Sequence, residues 1–484
     1  MSAHPSPQLT KDAAPGTPPG GEPGLKAGLK NRHLSMIAIG GVIGAGLFVG
    51  SGAGIKAAGP GILISYALAG VLVVLVMRML GEMAAANPTS GSFSAYADRA
   101  LGRWAGFTIG WLYWFFWVVV LAVEATAGAA ILTDWIPAVP QWAFALIVMA
   151  LLTATNLSSV GSYGEFEFWF AGIKVVAIAA FIVIGGLAVF GVLPGTDAVG
   201  TSNLLDHGGF LPNGFGAVLS GMLLVVFAFM GSEIVTLAAG ESEDPEKAVS
   251  KATNSVIWRI GVFYLGSILL VVTLLPWDSS AVLKSPYVAV LDTVGIPHAG
   301  QVMDVIVLTA VLSCLNSGLY TASRMAFSLG QRGDAPRAFA KVNSRGVPAV
   351  AILSSVVFGF IAVIFNYTSP DKVFSFLLNS SGAVALFVWL VICLSQLRMR
   401  RIIERETPER LTVKMWLFPY LTWATIGMIA FVIGYMFTDA DGRKQMILSV
   451  LVGALVLAVA LVKQRRDAAA KLSSDKAAVD TTSA

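Results

Sequence analysis

Long apolar stretches separated by short polar joints recur from Leu34 almost to the C-terminus. A membrane-spanning helix needs about 20 mainly apolar residues. Twelve stretches qualify: 34–57, 61–86, 104–132, 140–157, 165–193, 213–240, 255–276, 300–329, 347–366, 373–396, 415–437 and 445–463. The pattern predicts an all-α membrane protein of twelve transmembrane helices, with no room between spans for a soluble domain. Residues 1–30 are rich in Pro, Gly and Ser and too poor in large apolar side chains to bury a core, so they read as a disordered tail. Residues 31–463 form the membrane domain, and the polar stretch 464–484 reads as a second tail. The first apolar run is longer than the h-region of a signal peptide and has no small-residue cleavage site after it.

Two spans are weak in the middle. Span 1 carries Gly40, Gly41, Gly44, Gly46 and Gly50 in GGVIGAGLFVG, and each Gly costs a helix about 1 kcal/mol relative to Ala. Unwound backbone at membrane depth is tolerated only where it faces protein or water. There its free amides can hold an anion at a helix N-terminus, and a carboxylate is a natural guest. The alternative is close helix packing through small-xxx-small pairs such as Gly40 and Gly44. Span 6 repeats the anomaly in FAFMGSEIVT, where Gly231, Ser232 and Glu233 interrupt the apolar run. Breaks in the first and sixth helices predict an inverted repeat of five plus five, an arrangement in which transporters bind substrate near the midplane. Spans 11 and 12 would then be peripheral.

Composition agrees with a lipid solvent: 56% of the 484 residues are hydrophobic and 12% charged, about half the charge of a soluble domain. The net charge of +4 does not point to nucleic acid, because the basic residues follow membrane topology. With the N-terminus in the cytoplasm, 25 of the 32 Lys and Arg fall on the cytoplasmic side and five outside (Lys56, Lys284, Lys372, Arg443, Lys444), leaving Arg78 and Lys174 within spans. That distribution obeys the positive-inside bias and puts both termini in the cytoplasm. The two cysteines, Cys314 and Cys393, both lie in spans, so neither a disulfide framework nor a zinc site is indicated.

Five ordered blocks carry a family resemblance: LKNRHLSMIAIGGVIGAGLFVG, GPGILISYALAG with RMLGEMA, GSFSAYADRALGRWAGFTIGWLYWF, AAGESEDPEKAVSKATNSVIWRI and SCLNSGLYTASRMAFSLGQRGDAP. Over residues 29–463 the chain resembles the amino acid-polyamine-organocation superfamily, and within it the bacterial amino acid transporter family. YGEFEFW and GGFLPNGFGAVLSGML look most like permeases of γ-aminobutyrate. The resemblance implies a LeuT-like fold in a bacterial cytoplasmic membrane. It implies that amides of Ile43, Gly44, Ala45 and Gly46 bind the substrate carboxylate, and that carbonyls of Phe227, Ala228 and Met230, beside Gly231, bind its amine. It also implies proton coupling, since a lysine on span 5, here Lys174, sits where sodium-coupled relatives hold a sodium ion.

A charge at the centre of a span costs about 2.5–3.5 kcal/mol on insertion scales, so each one is a functional candidate. Lys174 lies nine residues beyond Glu165, roughly 14 Å along the helix, too deep to snorkel. It is either a titrating coupling group or a fixed strut to span 1 carbonyls. Glu124 on span 3 follows an aromatic run. A carboxylate set apart from the span 1 amides would suit a substrate whose amine stands several bonds from its carboxylate; a structural pair is the alternative. Glu233 either organises the span 6 break or touches the amine. Glu82, close in sequence to Arg78, is a gate ion pair or an interfacial charge. On span 8, Ser313, Ser317, Tyr320 and Arg324 recur at helical spacing beside Asn316, lining a pathway or gluing helices together. Asp244 before Pro245 reads as the cap of a short cytoplasmic helix, and GSFSAYADRALG as an amphipathic connector near the inner gate.

These features predict a secondary transporter that imports a small zwitterionic amino acid, γ-aminobutyrate by resemblance, with protons, through alternating access in membrane lipid. A permease for proline, alanine or aromatic amino acids is the near alternative. An intramembrane enzyme is disfavoured because His4, His33, His207 and His298 all lie outside the spans, and neither GxxxxGK[ST] nor HExxH occurs, which also argues against an ATP-driven machine. A channel would need a repeated pore motif. No cofactor and no nucleic-acid partner is implied.

Overall fold

The computed structural model describes residues 29–482 apart from 41, 42, 90, 159, 195, 196, 240–244, 284, 369 and 439. The expected cap at Asp244 and nearly all of the expected N-terminal tail therefore lie outside the described residues. Span 1 is three pieces, α1 (Asn31–Gly40), α2 (Ala45–Phe48) and α3 (Gly50–Ala58), followed by span 2, α4 (Ile62–Ala86). The connector α5 (Ser92–Leu101) leads to α6 (Arg103–Trp135), α7 (Gln141–Ser158) and α8 (Val160–Val189), spans 3 to 5. After the short α9 (Ser202–Leu205), span 6 is split into α10 (Gly214–Phe229) and α11 (Ile234–Ala238). Span 7 joins α12 (Pro245–Trp258) through a π-helical stretch, Arg259–Gly266, to α13 (Ser267–Leu274). The chain continues through α14 (Pro286–Val294), α15 (Ala299–Gln331), α16 (Ala349–Thr368), α17 (Pro370–Glu406), α18 (Tyr420–Met436) and α19 (Ala440–Thr482).

Among the described residues, nine helices are long and apolar enough to cross a bilayer, and shorter apolar helices occupy Arg32–Phe48, Ala349–Ile361 and Tyr420–Met436. The last helix does not stop near residue 463 but runs to Thr482, because QRRDAAAKLSSDKAA is rich in good helix formers.

Burial sorts the helices. Of the most apolar stretch of Gly214–Ala238, 83% is buried, against 17% for Gly442–Ala469, so span 6 is central and the last helix peripheral. The long helices α6 and α15 pack most extensively on one another. Small residues allow this: a methyl group at Gly318 of α15 would lie 2.9 Å from the Trp117 ring of α6. Such close backbone approach drives association where lipid offers no hydrophobic gain.

Polarity is inverted relative to a soluble helix. On α8 the buried face carries Tyr163, Glu167, Ala171, Lys174, Ile178 and Phe181, while Phe166, Trp169, Val176 and Val183 are exposed. The three- and four-residue spacing of the buried set puts both ionisable groups on one stripe facing the interior.

The segment just after α15 is tied by charges to α6 and α19. The buried Asp334 carboxylate accepts from Arg103 Nε at 3.3 Å and lies 3.9 Å from Lys463 Nζ and 3.8 Å from Arg332 Nε. Burial raises the Asp334 carboxyl above its usual range, against the opposing pull of Arg332, Arg103 and Lys463.

Close approach also fixes span 1: a methyl at Gly52 would sit 2.1 Å from the Val282 carbonyl oxygen, whereas one at Gly172 meets nothing within 4 Å. Gly52→Ala is expected to destabilise the detergent-solubilised protein by about 1–3 kcal/mol, the usual penalty of overpacking. Gly172→Ala should leave stability equal or raised; thermal unfolding followed by size-exclusion fluorescence compares the two.

Candidate functional site

The site forms where the two broken helices meet. Gly44 leaves the helical region with φ −137° and ψ −150°, and α2 starts anew at Ala45. In span 6, α10 ends at Phe229, Met230 is extended, and Gly231 takes φ +101°, a left-handed conformation that glycine adopts without strain. The breaks touch: a methyl at Gly46 would lie 3.0 Å from Ala228 Cα. Gly46, Phe116, Trp117, Val120, Glu124, Phe227, Ala228, Met230 and Cys314 line a cavity of about 10 Å³, room for roughly one water. Any solute larger than a water therefore requires the surrounding helices to separate. A cavity of about 550 Å³ begins at Val49, just past α2, and carries Asp134, Asp292 and Asp304 in its wall.

Backbone groups freed by the breaks are met by polar side chains, most of them from neighbouring spans. The Glu124 carboxylate of α6, 1% exposed, accepts the Ala45 amide at 3.2 and 3.1 Å. A carboxylate thus already occupies the start of α2, and Glu124 is bonded to the Ala45 amide of span 1 rather than set apart from it. Packing holds it there, since a methyl at Gly44 would lie 2.6 Å from both Glu124 Oε1 and Cys314 Cβ. Lys174 Nζ, fully buried on α8, donates to the Ile43 carbonyl at 3.2 Å and to Ser313 Oγ at 2.8 Å.

In span 6 the Glu233 carboxylate accepts the Gly231 amide at 3.0 and 3.1 Å and the Tyr113 hydroxyl at 2.9 Å. Tyr264 OH donates to the Ala228 carbonyl at 3.2 Å. The connector α5 reaches the same region: Ser92 and Thr236 hydroxyls lie 2.7 Å apart, and the Phe93 ring packs edge-on to Tyr113 at 4.7 Å.

Not every candidate converges here. Glu82 is fully buried but paired with Gln396 at 2.8 Å, Arg400 at 2.7 Å and the Met415 amide at 2.6 Å, in a network that ties α4 to α17 and the segment before α18. Arg78 instead donates to the Lys414 carbonyl at 2.8 Å. The span 8 stripe faces α7 and α8: Asn316 accepts from Asn156 at 2.7 Å, Ser317 lies 3.2 Å from Tyr163 OH, and Tyr320 stacks on Tyr163 at 4.2 Å.

Two residues emerge only in the fold. Arg259, 2% exposed, opens the π-helical stretch and donates to the Ala38 carbonyl and, at 2.5 Å, to Ser232 Oγ, bridging both broken helices. Glu167 accepts from Ser313 Oγ at 2.7 Å and lies 3.8 Å from Lys174 Nζ. Its seven-residue spacing from Lys174, two turns on one face, is the signal that locates it in the sequence.

Paired helix breaks at the centre of a many-helix membrane bundle, with charged side chains on the freed backbone, are the architecture of a solute transporter. A family model described as amino acid permease matches residues 33–472. The γ-aminobutyric acid permease of Bacillus subtilis (strain 168) is 56% identical over 452 residues, covering 93% of this chain and 96% of that protein. The γ-aminobutyric acid permease of Escherichia coli (strain K12) is 56% identical over 414 residues, covering 85% and 88%. The aromatic amino acid transport protein AroP of Corynebacterium glutamicum is 46% identical over 439 residues, covering 90% and 94%. The chain belongs to the amino acid permease family. It is an amino acid transporter of LeuT-like fold, a multi-pass membrane protein and not an enzyme.

Glu233→Ala would leave the buried Gly231 amide and Tyr113 hydroxyl without their acceptor, at about 1–3 kcal/mol each. The expected result is lower thermal stability and loss of substrate-induced stabilisation. Tyr113→Phe, which removes one partner only, should show a smaller version of both.

Proposed function

We propose that this protein imports γ-aminobutyrate together with protons across the bacterial cytoplasmic membrane, by alternating access of a twelve-helix inverted repeat with both termini inside. The carrying observation is the Glu124 carboxylate on the Ala45 amide at the start of α2, beside the break in span 6. A site that holds one carboxylate is built for another: the backbone amide and the helix N-terminus favour negative charge.

On this reading the substrate carboxylate displaces Glu124 from Gly44–Gly46, and the released side chain meets the substrate ammonium with the carbonyls of Phe227, Ala228 and Met230. γ-Aminobutyrate, whose charged ends are three methylenes apart, suits an exchange in which amide donors and acidic acceptor stand on opposite walls. The names of the relatives at 56% identity support this substrate. Asp134, Asp292 and Asp304 in the larger cavity would draw in the ammonium end by their field. Lys174 supports coupling because it holds the Ile43 carbonyl one residue before Gly44, so its protonation alters the charge balance that keeps span 1 in place.

The assay is uptake of labelled γ-aminobutyrate into proteoliposomes with an alkaline interior, in competition with unlabelled amino acids. Concentrative uptake abolished by collapsing the pH gradient, and lost in Lys174→Ala, is the expected outcome. Uptake of proline or phenylalanine with none of γ-aminobutyrate would overturn the substrate; accumulation by Lys174→Ala matching the parent would overturn the coupling role.

A further inference from the structure

Lys174 and Glu167 lie on one face of α8 and are both fully buried, seven residues or about 10 Å of helix rise apart. Between their charged ends stands a hydroxyl from another helix. Ser313 Oγ of α15 receives a hydrogen bond from Lys174 Nζ at 2.8 Å and gives one to Glu167 Oε1 at 2.7 Å. The direct separation of the two charged groups is 3.8 Å. Glu167 Oε2 is buried without a hydrogen-bond partner among the described residues. A buried pair retained for stability alone has its lone pairs and protons satisfied, because desolvating two ions is otherwise not compensated. With Oε2 unpartnered the buried carboxylate charge is incompletely compensated, and a proton arriving at Oε1 neutralises it.

We propose that Glu167 is the acceptor of the Lys174 proton during transport, reached through the Ser313 hydroxyl. An N–H bond of the Lys174 ammonium breaks as that proton bonds to Ser313 Oγ. The original Ser313 O–H bond breaks as its proton bonds to Glu167 Oε1. The ammonium and carboxylate become an amine and a carboxylic acid, Ser313 is unchanged, and net charge is conserved. The transfer removes two charges from a site shielded from water, so it needs no counter-ion.

The surroundings leave Glu167 as the nearest acceptor. Charged and titratable groups acting on Lys174 are Glu167, Cys314 of α15 and Glu124 of α6; Glu124 is engaged by the Ala45 amide and, on the transport reading above, by the substrate ammonium once released. The parts of α7 and α13 that pack on α8 contain no titratable residue. On α14, Tyr287 is turned to Ser267; in the π-helical stretch, Arg259 and Tyr264 are held by Ala38, Ser232 and Ala228. Nearer the start of α8, Glu165 is 45% exposed and bonded to Arg32 and His33 of α1. Glu167 thus stands between Lys174 and the solvent-facing end of the helix, as a route of release requires.

The inference rests on the proton-symport reading, and the same preparation separates the two. Parent protein and Glu167→Gln, which keeps an acceptor oxygen for Ser313, are reconstituted with pyranine inside the vesicles. If the parent takes up no amino acid in response to a pH gradient, symport and this inference fall together. With a coupled parent, Glu167→Gln is expected to lose gradient-driven accumulation and substrate-dependent proton entry by about 100-fold, in line with removal of a proton-transfer group, while exchange of external for internal substrate continues. A variant that carries protons and substrate in the parental ratio overturns the assignment. So does equal loss of exchange and accumulation, which a purely structural role would produce. Should Glu167→Gln fail to assemble, Ser313→Ala and Ser313→Thr make the same test: Thr restores the bridging hydroxyl and must retain coupling that Ala loses, and parental coupling in Ser313→Ala overturns the proposal.

Discussion

The whole site follows from one constraint: unwound backbone at membrane depth must find polar partners, because lipid offers none. Two helices are broken inside the bundle, and the freed groups among the described residues are met by polar side chains, four of them from other helices and one, Glu233, from the break itself. Glu124 takes the Ala45 amide, Lys174 the Ile43 carbonyl, Arg259 the Ala38 carbonyl, Glu233 the Gly231 amide and Tyr264 the Ala228 carbonyl. Charged side chains are costly to insert, and the breaks are what make them worth retaining. Removing either partner leaves the other buried without a bond.

The same economy gives the centre of the protein its capacity to change. A helix held at its break by side chains of other helices can be released by altering their charge or occupying their bonds, with no need to unfold anything further. The cavity of about 10 Å³ between the breaks is closed around Glu124, and access requires that these contacts rearrange. Outside the breaks, packing is tight and apolar, as where the Trp117 ring meets Gly318. Under the proposed alternating access, motion is directed to spans 1 and 6 and the helices bonded to them.

Much of this is legible in the sequence alone. Glycine density around Gly44 and the Gly231-Ser232-Glu233 interruption located both breaks, and Lys174, Glu124 and Glu233 stood out as ionisable groups in apolar stretches. What escaped the sequence depends on tertiary contact. Glu167 sits within YGEFEFW beside the half-exposed Glu165; its spacing from Lys174 puts the two on one face, but only the packing of α8 shows that this face is turned inward. Arg259 falls at the start of span 7, where it counts as one more positive charge on the cytoplasmic side. That Glu124 lies on the Ala45 amide is set by the packing of α6 against Gly44 and Cys314, which no spacing in one helix encodes. Residues 464–482 read as a tail from their polarity, a reading that misses the helix that runs to Thr482; alanine and other good helix formers carry it.

On the proposed mechanism a carboxylate belongs at the start of α2, and Glu124 yields this place to the substrate. A structure of the full chain in lipid nanodiscs with γ-aminobutyrate bound decides whether it does. The expected result is a substrate carboxylate within hydrogen-bond distance of the Gly44–Gly46 amides, with Glu124 turned away from Ala45 toward the ammonium. Substrate bound elsewhere, with Glu124 still on the Ala45 amide, would contradict it.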